Sequence, residues 1–169
     1  MSVILKRLYE QQGNPYRLSL EAGRNSVRNT VTWVHMVEDE YIIRRFRGCE
    51  LAVTTGLRAS SDPEWLMKLV VQLSERQAAG LIVNTGKFIM QIPSDVLDFC
   101  DSHDFPLLTM PWEIHMADMI RSFCTMIIYD QQETLIHDRA MWDAVNRKEN
   151  VDEYREVLGR YYDLEGTFT

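Results

Sequence analysis

Glu50-Leu51-Ala52-Val53-Thr54-Thr55-Gly56 is an apolar, β-prone run that ends on two hydroxyls and a glycine. Further along, Ala79-Gly80-Leu81-Ile82-Val83-Asn84-Thr85-Gly86 repeats the plan, a buried-type run closed by a polar tripeptide. Neither run alternates apolar with polar residues, so each predicts a strand covered on both faces, as strands are in parallel sheets. The segment between them supplies the crossover. Ser61-Asp62-Pro63-Glu64 combines a capping residue, a proline at the first helical position and an early acid, and Trp65, Leu66, Leu69, Val70 and Leu73 then recur at helical spacing. Residues 94–102 predict a second helix with Val96, Leu97 and Cys100 on one side. Phe105-Pro106-Leu107-Leu108-Thr109-Met110 then reads as a third strand, stopped by Pro111. Strand, helix, strand, helix, strand with short turns is a βαβαβ core, so the fold class is α/β with a mostly parallel sheet.

Upstream, residues 3–12 predict a short amphipathic helix, and the β-branched and aromatic run from Val27 to Val37 predicts one or two strands. Glu38-Asp39-Glu40 opens a short helix that Gly48 ends, with Arg44, Arg45 and Arg47 in its last turn. Downstream, neither glycine nor proline occurs between Pro111 and Gly159. Met116, Ile120, Phe123, Ile127, Ile128, Leu135 and Trp142 keep roughly heptad spacing through that stretch. It reads as one long helix, unbroken or interrupted near His137-Asp138. Asn150-Val151-Asp152-Glu153 resembles a capping box that opens a further helix, and Gly166-Thr167-Phe168-Thr169 looks like the start of a strand. The organisation expected is an α/β domain over residues 1–128 and a helical connector or dimerisation segment over 129–169.

Composition narrows the function. With 169 residues, 46% of them hydrophobic and 25% charged, the chain is long enough to bury a core without a staple. A net charge of −7 argues against gripping nucleic acid or an anionic membrane by bulk charge. Three cysteines, Cys49, Cys100 and Cys124, form neither a disulfide framework nor a CxxC pair, and His35, His103, His115 and His137 have no partners at zinc spacing. No metal or other cofactor is expected. The apolar runs fall well short of the ~20 residues of a membrane span, and no signal peptide is apparent, so the expectation is a cytoplasmic protein.

The two polar tripeptides occupy equivalent places, each at the carboxyl edge of its strand. Open α/β sheets bind ligands there, where loop N–H groups and hydroxyls converge. Thr54, Thr55, Gly56, Asn84 and Thr85 are therefore the candidate ligand-binding residues, joined by Glu50 and with Trp33 and His35 as walls. Ordinary turn chemistry for the tripeptides and a structural hydrogen bond for His35 are the competing readings. Gly80 to Lys87 is not a phosphate loop, because the spacing is wrong and Phe88 stands where Ser or Thr is required. No nucleophile–base constellation is recognisable, so no catalytic residue is assigned and an enzyme is not expected. Arg44, Arg45 and Arg47 form either a solvated helix end or a carboxylate- or phosphate-binding group.

Trp33-Val34-His35-Met36-Val37-Glu38, followed by Arg47-Gly48-Cys49-Glu50-Leu51-Ala52-Val53-Thr54-Thr55-Gly56-Leu57, resembles the N-terminal domain of the PucR family. Members of that family are bacterial purine-catabolism-type transcription regulators. Ala79 to Val83, Ile92-Pro93 and Phe105 to Leu108 agree with its later blocks, and the resemblance spans roughly residues 5–128. Cys49 departs from the pattern, which has a second glycine there. The resemblance implies an effector-sensing domain for a small metabolite, a purine-degradation intermediate or an amino-acid-related compound. It also implies a middle domain and a DNA-binding helix-turn-helix that these residues do not include. Ile128, Leu135 and Trp142, seven residues apart, predict a homodimer through the long helix. The alternative is that the last helix folds back through Val151, Tyr154, Leu158 and Tyr161 to cover them. A scaffold or dimerisation module without a ligand is the runner-up function, and a small α/β enzyme the third.

Overall fold

The computed structural model describes residues 3–146, 151–160 and 162. The chain divides into two compact units, Ser2–Ile127 and Ile128–Thr169.

The first unit is built on a five-stranded sheet in the order β1-β5-β4-β3-β2. Its strands are β1 (Ser19–Ala22), β2 (Trp33–Met36), β3 (Glu50–Thr54), β4 (Gly80–Thr85) and β5 (Leu107–Pro111). The βαβαβ core is as expected: β2, β3, β4 and β5 run parallel, with Val53 beside Ile82 and Ile82 beside Leu108. β1 is an addition that pairs antiparallel with β5 at the edge. It left little trace in the sequence, because a four-residue edge strand with exposed Ser19 and Glu21 carries neither a long apolar run nor full alternation.

Alternation of side chains divides the sheet between two cores. Ala52, Leu81, Val83 and Leu107 face the layer of α2 (Glu40–Ile43), α3 (Trp65–Glu75) and α4 (Ser94–Ser102). Leu51, Val53, Ile82 and Leu108 face α1 (Leu5–Tyr9) and the start of α5 (Met116–Asn146), through Leu5, Leu8, Met119, Phe123 and Ile127. Every residue of β3 is buried, which is why its sequence shows no polar face.

Several boundaries differ from expectation. β2 is a single strand, and residues 27–32 lie outside it. α2 stops at Ile43, so Arg44, Arg45 and Arg47 follow the helix rather than occupy its last turn. α3 starts at Trp65, and Ser61 does not cap it; Asp62 instead accepts the Glu64 N–H in the turn before. α5 continues through His137-Asp138 without a break, since neither residue removes a backbone donor as proline would.

In the second unit, α5 is followed by α6 (Val151–Leu158). Ala140 and Leu158 are buried, and the Tyr162 ring lies 5.8 Å from that of His137, so the chain returns along α5. Ile128, Leu135 and Trp142 nevertheless stay 41%, 69% and 55% exposed. Asn150 and residues 166–169 lie outside the described residues. Among the described residues, no helix is long and apolar enough to cross a membrane.

Candidate functional site

The parallel strands deliver Met36, Thr54, Thr85 and Pro111 to one edge of the sheet, and the loops that follow them form the candidate site. Two of these loops are held by a carboxylate. Glu38, two residues past β2, accepts the Thr55 N–H at 2.6 Å and the Thr55 hydroxyl at 2.7 Å, both on Oε1. The Thr54 hydroxyl donates to the same oxygen at 3.4 Å while accepting the Gly56 N–H at 3.1 Å. The Thr-Thr-Gly loop is thus closed on itself and on Glu38. Glu38 Oε2 is buried and has no hydrogen-bond partner among the described residues.

Gly56 has φ +75° and begins a 3-10 turn, Leu57–Ser60. A Cβ there would come within 2.5 Å of the end of the Ile89 side chain, which would have to shift, and the backbone angle itself favours glycine. Ile89 belongs to the loop after β4, where its carbonyl accepts the Gly86 N–H at 2.9 Å. Ile89 against Gly56 therefore joins the two polar tripeptides that the sequence repeats.

The second tripeptide holds the chain that leads into α5. Asn84, buried, donates through its amide to the carbonyls of Met110 at 3.2 Å and Pro111 at 3.1 Å. The Thr85 carbonyl accepts the Trp112 N–H at 2.8 Å, four residues before α5 begins. Lys87 lies over the Trp112 ring at 4.4 Å and over Phe88 at 5.2 Å. Asn84 lies on the face of Ile82 and Thr85 on that of Val83, so the two candidates point to opposite sides of the sheet.

Trp33 and Glu50 are not at this edge. They are register partners at the amino end of β2 and β3, one strand length away. Glu50, buried, accepts the Arg47 N–H on both carboxylate oxygens at 3.0 Å and so closes the turn before β3. His35 lies mid-strand beside Ala52, its ring 5.2 Å from that of Phe46. Trp33, expected as a wall of the carboxyl-edge site, therefore stands at the other end of its strand, whereas His35 is one residue short of the carboxyl end. Glu38, by contrast, is at this edge and carries no chemical motif of its own in the sequence. It ends the Trp33–Glu38 stretch that carries the family resemblance, and that position was its only signal.

Two clefts open onto the edge loops. One, of about 290 Å³, lies between α2 and the 3-10 turn, with Tyr41, Arg44, Arg58 and Trp65 among its walls. The other, of about 400 Å³, is lined by Thr85, Gln91, Ile92, Leu97, Glu21 and Thr109, where the Thr109 hydroxyl donates to Glu21 at 2.8 Å. Among the described residues no group of His, Cys, Asp and Glu could hold a metal ion. Burial pushes the Cys100 thiol up to about 12 and also raises that of Cys124, so neither supplies a thiolate near neutral pH.

A family model described as purine catabolism regulatory protein-like matches residues 11–127. The chain is also similar to the purine catabolism regulatory protein of Bacillus subtilis (strain 168), with 28% identity over 110 residues. That alignment takes in 65% of this chain, but only 21% of the length of its relative.

Proposed function

From the premise that the chain belongs to the purine catabolism regulatory protein-like family, we propose that it is the small-molecule-sensing domain of a bacterial transcription regulator of catabolic genes. Residues 1–128 sense and residues 129–169 connect and dimerise. The effector, a purine-degradation intermediate or an amino-acid-related metabolite, binds at the strand carboxyl-edge loops of Thr54-Thr55-Gly56 and Asn84-Thr85. DNA is contacted by a helix-turn-helix outside these residues, in the cytoplasm, and the domain performs no catalysis.

The observation that carries this reading is the tie between Asn84 and Thr85 and the segment that feeds α5. An effector that binds one arrangement of the edge loops better than another shifts the balance between them by its difference in affinity. Because the Pro111–Trp112 chain is bonded to those loops, that shift reaches the first turn of α5. The uninterrupted helix carries it into the second unit, where Ile128, Leu135 and Trp142 lie on an exposed stripe. Pairing of two copies along that stripe turns a change in helix position into a change in the spacing of two DNA-binding domains.

The test is a thermal-shift screen of the 169-residue chain against purine-degradation intermediates and amino acids, followed by titration of any hit. A hit that loses affinity in both Thr55→Val and Asn84→Ala is expected. Unchanged affinity in both variants removes the effector from this edge. A complete absence of stabilisation across the panel favours the scaffold reading.

A further inference from the structure

The cleft beside the Glu38 latch has a charge pattern that the reading above leaves unused. Its acids are largely engaged. Asp39 accepts the Tyr41 and Ile42 N–H groups as the cap of α2. Asp62 accepts the Glu64 N–H and is paired with Lys68 at 2.9 Å. Its two arginines are not engaged in this way. Neither Arg44 nor Arg58 has a carboxylate within ion-pair distance among the described residues, and the one aromatic contact is that of Arg44 with Tyr41, 5.6 Å from the ring centroid. Two guanidinium groups thus share the walls of a cleft of about 290 Å³ with the exposed Tyr41 ring and the buried Trp65.

Resting on the reading of this edge as a ligand site, we propose that the cleft between α2 and the 3-10 turn binds a small carboxylate, held by Arg44 and Arg58. The guanidinium fork matches a carboxylate in geometry and charge, and the Tyr41 face offers an apolar body somewhere to lie. Asp39 and Glu40 offset the charge of the two arginines, and Lys68 pairs with Asp62, so the walls are close to neutral and a planar carboxylate is favoured by its fit to the guanidinium fork. The latch supports the site. Glu38 precedes the Asp39 cap, and its bonds to Thr55 hold the start of α2 beside the turn that carries Arg58.

The experiment is NMR titration of the full 169-residue chain with nicotinate, nicotinamide and inorganic phosphate. The first two share a ring and differ in charge. Nicotinate is expected to shift the Arg44 and Arg58 side-chain Nε–H signals and the Tyr41 amide, and nicotinamide to leave them in place. Arg44→Gln with Arg58→Gln should weaken nicotinate at least tenfold, while Arg44→Lys with Arg58→Lys loses less because the charge remains. Both pairs change exposed side chains, so the rest of the spectrum reports whether the fold is intact. Equal effects of nicotinate and nicotinamide, stronger effects of phosphate, unchanged affinity in the glutamine pair, or no shift at all would each overturn the proposal. Nicotinate shifts confined to Thr85, Gly86 and Trp112 would also overturn it, yet would leave the carboxyl edge as the effector site.

Discussion

Glu38 and Thr55 are joined twice: the backbone N–H and the side-chain hydroxyl of Thr55 both donate to one oxygen of Glu38, at 2.6 and 2.7 Å. Glu38 follows an edge strand of the sheet and Thr55 follows its neighbour, so this pair fixes how two edge loops stand to each other. Hydrogen bonds to a charged acceptor contribute about 1.5–3 kcal/mol, more than neutral ones.

Thr55→Val removes one of the two donors and should lower stability by about 1–2 kcal/mol in urea unfolding. Glu38→Ala removes the acceptor and should cost more. If the two residues act as a latch, the double variant will be less destabilised than the sum of the singles, by about 1 kcal/mol. Strict additivity would show that the contact contributes nothing of its own.

Asn84→Ala removes the amide donor of the Met110 and Pro111 carbonyls and leaves Met110 only the longer bond from the Thr85 hydroxyl, at 3.5 Å. A loss of about 1–3 kcal/mol is expected, read from the urea midpoint at constant m. Hydrogen exchange should quicken at Trp112 and through the first turn of α5, and not in α3. Uniform acceleration over the whole first unit would mean that Asn84 supports the fold at large and not the path into α5.

Cys49 sits at φ +65°, in the left-handed region that any Cβ disfavours. Cys49→Gly should stabilise the protein by about 0.5–1 kcal/mol, the relief of strain being partly offset by the greater freedom of glycine when unfolded. A lower midpoint for the variant would place the benefit of cysteine in contacts that the backbone angle does not reveal.

Burial raises the Cys100 thiol from its ordinary 9.0 to about 12. Between those values the folded state keeps a proton that the unfolded state releases, so this contribution to stability is complete below pH 9.0 and is lost as pH rises towards about 12. Cys100→Ala should therefore show a shallower alkaline decline than the parent, whatever its stability at neutral pH. With a thiol-specific disulfide reagent at pH 8, the exposed Cys49 should react first and Cys100 only on unfolding.

Leu135 and Trp142, with Ile128, form an exposed apolar stripe on α5. Sedimentation of the 169-residue chain at micromolar concentration should report a dimer, and Leu135→Glu with Trp142→Glu should give a folded monomer. A monomeric parent would reject pairing along this helix. A dimer that survives both substitutions would move the interface elsewhere.

Local pattern accounts for what could be read in advance. Continuous apolar runs, a proline at a helix start and a long stretch without glycine or proline are properties of neighbouring residues. They specify β3, α3, β4, α4, β5 and a long helix after β5 before any contact is made. The recurrence of a polar tripeptide after β3 and β4 puts Thr54, Thr55, Gly56, Asn84 and Thr85 at one edge of the sheet, since parallel strands share a direction. What each of those residues does there depended on partners far along the chain. Glu38 meets Thr55 across 17 positions, and Asn84 meets Met110 across 26. No periodicity encodes such pairs. Register alone set Trp33 and Glu50 at the opposite edge, and the alternation of a strand turned Asn84 and Thr85, adjacent in sequence, to different faces. The elements follow from short-range sterics and hydrophobic spacing, whereas the site follows from which loops the packed sheet brings within hydrogen-bonding distance.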